Sequence, residues 1–387
     1  MMRKFAILAL ALAALVAAPV MAQTNFLELC RRGTPVEVLK ALKAGASVEE
    51  RTANGWSALM LAAGYNPNSG VVSVLLIAGA SVKEQTLDGR TTLMLAALLN
   101  QNSAVIGELL EGGASVKEKA PDGWTPLLDA ASANPNPRVT AILLQAGASV
   151  KERTPDGWTP LLLAASGNPN PEVLGVLLDA GASVEERTAE GWSPLLLAAR
   201  YTQNLEVVNA LLAAGASVSE RTPDGWSPLL LAAKFNGNRD ILRALLKSGA
   251  SLTGRSPDGL SALLLAASNN PNPEVPSVLL EAGATVKERT KTGLTALMFA
   301  AAFNPNPGMV TALIKGGSSV REKDLEGRTA LSYAAMYSKN PEVILTLLKA
   351  GAEGKAKDAS GKSAFDHVRN NDALKGTAAF QALRDAR

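Results

Sequence analysis

Side chains able to do chemistry are scarce in this chain of 387 residues. It holds one cysteine, Cys30, and one histidine, His367. A disulfide needs two cysteines and a zinc site built from Cys and His needs more ligands than these two, so both are excluded. Acid–base catalysis by histidine would rest on His367 alone. No residue near Cys30 in sequence supplies an activating base, so it reads as a small buried hydrophobe. There is no Gly-rich phosphate loop and no nucleophile–base set. What the chain does place with regularity is aromatic. All five tryptophans, Trp56, Trp124, Trp158, Trp192 and Trp226, stand 34 residues apart or at twice that step, and Arg90 fills the missing place. Trp and Arg join a large apolar surface to a polar handle, which is why they dominate binding hot spots. The chemistry on offer is recognition by a non-enzymatic chain.

Charge and composition narrow what is recognised. The first 22 residues have the form of a secretory signal: Arg3 and Lys4, an apolar run from Phe5 to Val16, then Val20-Met21-Ala22 before Gln23. Cleavage after Ala22 is expected, giving a periplasmic or secreted protein. The run is too short for a membrane span, and no second long apolar segment follows, so stable membrane insertion is not expected. Without Arg3 and Lys4 the chain keeps 36 basic residues against 35 acidic ones. That balance lacks the clustered positive charge of a nucleic-acid binder. No cofactor or metal is implied.

The elements that must position the tryptophans follow from a strict repeat. Glycines recur every 34 residues from Gly55 to Gly361, and a second series runs from Gly45 to Gly351 with the same step. Residues 55–360 thus form nine complete units, numbered here 1 to 9 from Gly55, between terminal segments 23–54 and 361–387. In unit 4, Thr159-Pro160 is a helix start, a hydroxyl cap followed by proline in the first turn. Leu161, Ala164 and Ala165 form one stripe of a short helix. Asn168-Pro169-Asn170-Pro171 ends it, and Asn170 caps a second helix with Pro171 first inside. Val173, Leu174, Leu177 and Leu178 give that helix a broad apolar face, and Gly181 supplies its left-handed stop. Residues 182–191 are left as an extended finger. A unit this small cannot bury its own apolar face and must stack on neighbours. The fold class is an all-α repeat solenoid of helix–turn–helix–finger units, monomeric, with polar terminal units as caps.

Segments such as Asp156-Gly-Trp-Thr-Pro-Leu-Leu-Leu-Ala-Ala165 and Leu177-Leu-Asp-Ala-Gly-Ala-Ser-Val184 resemble ankyrin repeats. Three features depart from the family pattern. The unit has 34 residues where the family has 33, the extra one placed in the Asn-Pro-Asn-Pro turn. The family's His in Thr-Pro-Leu-His is replaced by Met60, Met94, Leu128, Leu162 and their counterparts. Its Asp after Gly-Ala is Ser47, Ser81 or Thr285. These departures bear on the side-chain hydrogen bonds that stitch typical ankyrin turns, and leave the stack itself untouched.

The resemblance implies a concave surface of fingers and first helices where a protein or peptide docks. Facing it would be the residue after each finger glycine, which includes Trp56, Arg90, Trp124, Trp158, Trp192, Trp226 and Arg328. A second row, two residues after each Ala-Ala pair, includes Tyr65, Tyr201, Phe235, Phe303 and Tyr337. The tryptophans serve either a partner or the packing of successive fingers, and the sequence leaves both open. Asp129, standing where other units have Leu, needs a hydrogen-bond partner or partial exposure. Glu and Arg rows along the finger edge suggest ion pairs between units. The function expected is a binding scaffold in a bacterial cell envelope. The alternative is a secreted effector or inhibitor acting on a host or competitor protein.

Overall fold

The computed structural model describes residues 26–386; the expected signal segment lies outside these residues. Each unit folds as its local signals dictate. In unit 4 the Leu162 N–H donates to Thr159 Oγ1 at 3.3 Å, starting the helix Pro160–Gly167. The chain leaves that helix at Asn168, whose φ and ψ of −63° and 132° are extended. The Glu172 N–H then donates to Asn170 Oδ1 at 3.0 Å and the second helix runs Pro171–Asp179. Gly181 and Gly157 both take positive φ, 87° and 80°, values that favour glycine. The finger is a tight turn: the Thr154 N–H donates to the Trp158 carbonyl and the Gly157 N–H to the Thr154 carbonyl. No strand forms among the described residues, and only two isolated antiparallel bridges occur, Arg51 to Ser57 and Gln85 to Thr91.

First helices pack on first helices of adjacent units, and second helices on second helices, so two helical rows run the length of the stack. The core lies between the rows. A single apolar stripe was expected on the first helix, yet Leu161, Leu162, Leu163, Ala164, Ala165 and Ser166 are all buried. The reason is position. That helix has a neighbour on either side in its row, its own second helix behind and fingers at its start. The second helix buries Val173, Leu174 and Leu177, packs half-buried Leu178 against the core and exposes Glu172 and Asp179.

The ends are less polar than expected. The opening pair of helices, Phe26–Arg32 and Pro35–Lys43, buries Cys30 completely but leaves Val36 74% exposed. At the far end the helices Ala364–Val368 and Ala378–Asp385 bury Val368, Ala379 and Leu383, with the Phe365 and Phe380 rings 5.3 Å apart. The His367 ring lies inside this cap, its Nε2 2.7 Å from Asp358 Oδ2, and only 13% of its side chain is exposed. His367 is thus largely enclosed, although it belongs to the terminal unit expected to be polar.

Candidate binding face

Four of the five tryptophans are set by the same local device, while the Trp124 N–H donates to Asp122 Oδ1 at 3.2 Å. The Trp158 N–H donates to Thr154 Oγ1 at 3.1 Å, and Trp56, Trp192 and Trp226 repeat this bond to Thr52, Thr188 and Thr222. The row nevertheless divides. Trp56 and Trp124 are buried, with 7% and 9% of their surface exposed. Trp56 stacks on Tyr65, ring centroids 5.8 Å apart, and Arg31 lies over the other ring. Arg90 is buried as well. Its guanidinium sits over Trp124 and is hydrogen-bonded to the buried carboxylate of Asp129 in the next unit. The partner that Asp129 required is therefore Arg90, and this end of the row packs inward. The sequence signal was present: an Arg in the Trp row and an Asp in the Leu row occur in adjacent units. Burial, with Asp122 and Asp88 also near, pushes the Asp129 carboxyl up to about 7 despite Arg90.

Units 5 and 6 are arranged differently. Trp192 and Trp226 are half-buried, while Tyr201 and Phe235 are exposed. Arg200 lies over three rings, 5.4 Å from Trp192, 5.0 Å from Tyr201 and 4.3 Å from Phe235. Lys234 lies 4.8 Å from the Trp226 ring and 5.0 Å from Phe235. A cation over a ring keeps its charge available and holds the ring in place. The sequence reading missed Arg200 and Lys234. Their signal is that the residue after Ala-Ala is uncharged in every other complete unit. Half-buried Trp158 extends the cluster by one unit.

A second aromatic group occupies units 8 and 9. Phe303 and Tyr337 stack at 6.1 Å and are 55% and 51% exposed. Phe299 and Tyr333 support them from below. Arg328 is held by Asp324 at 2.9 Å and Glu326 at 2.8 Å, and Tyr333 donates its hydroxyl to the same Asp324. Arg328 therefore braces this group, and its charge is already matched.

Away from this face, Cys30 is enclosed, and burial together with Glu50 pushes its thiol up to about 12. It stays protonated at neutral pH. Among the described residues no cluster of His, Cys, Asp or Glu could hold a metal ion, and no helix is long and apolar enough to cross a membrane.

Comparison with known proteins agrees with the geometry. The family model for ankyrin repeats (3 copies) matches in overlapping segments: 26–120, 59–154, 93–188, 127–222, 163–256, 195–290 and 263–358. The crystal structure of the human ASB11 ankyrin repeat domain is similar to this chain at 27% identity and a TM-score of 0.52, covering 59% of this chain and 99% of that one. No curated protein matches. Family model, helix rows and glycine-ended fingers give one answer: the chain belongs to the ankyrin repeat family.

Proposed function

We propose that this protein is an exported, non-enzymatic scaffold of the bacterial cell envelope that binds a protein or peptide along the first-helix face of units 4 to 6. The observation that carries this reading is the cluster of Trp192, Arg200, Tyr201, Trp226, Lys234 and Phe235. It places two cations among open rings, a surface suited to a partner carrying carboxylates beside apolar side chains. The export signal in the sequence supports the location. A secreted effector would need the same signal and the same face, and fractionating culture supernatant from periplasm separates the two.

The test is crosslinking and pull-down from intact cells, comparing the natural chain with W192A/F235A. Removing two such anchors is expected to weaken capture by about thirtyfold or more, the loss of a hot spot of roughly 2 kcal/mol. Circular dichroism should be unchanged, because Phe235 is exposed and Trp192 is only half-buried. Equal capture by the variant would defeat the reading.

A further inference from the structure

The Asn-Pro-Asn-Pro turns do more than end helices. In most units the first Asn is buried and its amide reaches back one unit. Asn134 Nδ2 donates to the carbonyls of Ala97 and Asn100, both at 2.8 Å, and its Oδ1 accepts the Asn136 N–H. The second Asn adds another link, Asn136 Nδ2 to the Gln101 carbonyl at 2.6 Å. Asn66, Asn100, Asn168, Asn236, Asn270 and Asn304 repeat the first link, and Asn102, Asn170, Asn238, Asn272, Asn306 and Asn340 the second.

Among the described residues the junction of units 4 and 5 has neither link. Thr202 stands in the place of the buried Asn, and its hydroxyl reaches only the Asn204 N–H, at 3.0 Å. Asn204 caps its helix through Oδ1 and sends no amide bond to the Pro169 carbonyl. The carbonyls of Ala165, Asn168 and Pro169 occupy the places of the acceptors used at the other junctions. The carbonyl of Ala165 also lacks a helical partner, since Pro169, four residues on, carries no N–H. At this junction an open notch of about 520 Å³ is lined by Gly167, Asn168, Pro169, Tyr201, Thr202 and Asn204, among others, none of them charged. Gly167 leaves its wall empty: a Cβ there would meet nothing within 4 Å.

The geometry points to a receptor for a side-chain carboxamide, Asn or Gln, of the bound partner. That side chain enters beside Tyr201 and donates to the carbonyls of Asn168 and Pro169, which line the notch, as the chain's own asparagines do at the neighbouring junctions. A neutral amide fits the uncharged lining, whereas an ammonium or guanidinium group would lose hydration without a counter-charge. Tyr201 belongs both to this notch and to the aromatic face, so the inference rests on the reading of that face for what delivers the amide. It adds a specificity element: an Asn or Gln flanked by apolar and acidic residues.

The test uses the free, full-length mature chain and two small probes, followed by amide NMR shifts. Acetamide, which has N–H donors, is expected to give saturable shifts at Gly167, Thr202, Gln203 and Asn204, with half-saturation at about tens of millimolar, as befits four non-hydrogen atoms. N,N-dimethylacetamide has no donor and should leave them unmoved. The substitution T202N, which copies the neighbouring units, should close the notch from within, abolish the acetamide shifts and raise the thermal midpoint by about 2 °C. Equal shifts with both probes, no saturable shift, or full acetamide binding to T202N would each overturn the proposal. The two probes on the natural chain decide the matter even if the variant misbehaves. Failure here leaves W192A/F235A to judge the aromatic face separately.

Discussion

Arg90 and Asp129 show how a residue that looks like a binding group becomes a structural one. Each breaks the pattern of its own row, and the breaks match across one junction. Asp129 Oδ2 has no hydrogen-bond partner, so its enclosure is costly. Replacing Asp129 alone by Leu leaves the buried guanidinium only its longer contacts to Asp122 at 3.6 Å and Asp88 at 3.8 Å and is expected to destabilise by about 3 kcal/mol, while R90W/D129L restores the neighbours' pattern and recovers that loss or more. Urea unfolding of the two variants checks this. Acid titration gives a second reading. The folded-state carboxyl rises from 3.8 to about 7, so between these values the native state holds a proton that the unfolded chain has released. Stability should therefore fall as pH rises from about 4 to 7, and this component should vanish in D129N. Sequence alone identified Asp129 as needing a partner but could not name it, because the contact spans 39 residues and depends on the stacking register.

At the scale of the element, the helices and their stops were legible because each is written locally. Ser or Thr before the first helix, Asn before the second and Gly after it act within four residues of themselves. The long-range use of the same turn was not legible. Asn168 reads as a turn residue, yet its amide is what joins one unit to the next. Its near-constant recurrence was the available sign; only Thr202 and Ser338 break it among the complete units. These amide links tie a unit to the one before it. Asn134→Ala should cost about 2–4 kcal/mol, since it leaves two buried carbonyls without a donor. Asn136→Ala, at a half-exposed position, should cost about 1–2 kcal/mol as a lost cap. Equal losses in chemical unfolding would show that burial is not what makes the first amide matter. The finger-edge ion pairs expected from sequence do form, Arg187 to Glu220 at 2.8 Å and Arg255 to Glu288 at 2.9 Å; Arg255 is exposed, so that pair adds little, whereas the Glu220 side chain is enclosed.

For the whole molecule, the 34-residue period carried the architecture because a solenoid needs nothing but contacts between neighbours. Deleting unit 7, residues 259–292, should leave a shorter folded stack with unchanged helical signal per residue. Deleting half as many residues should break the register, and circular dichroism with size-exclusion chromatography distinguishes the outcomes. The candidate face was legible only as a row of types. Which members face outward depends on what each ring meets in adjacent units, and that separates enclosed Trp56 and Trp124 from Trp192 and Trp226.

The junction beneath Thr202 also has a mechanical meaning. A chain of like links under tension parts where its ties are weakest, and among the described residues the junction without amide links, crossed by the Arg187–Glu220 pair, falls between residues 190 and 191, close to the middle of the stack. Pulled from both termini, the protein should first yield as two shorter springs, each still wound, with the aromatic cluster of units 5 and 6 riding intact on the C-terminal one.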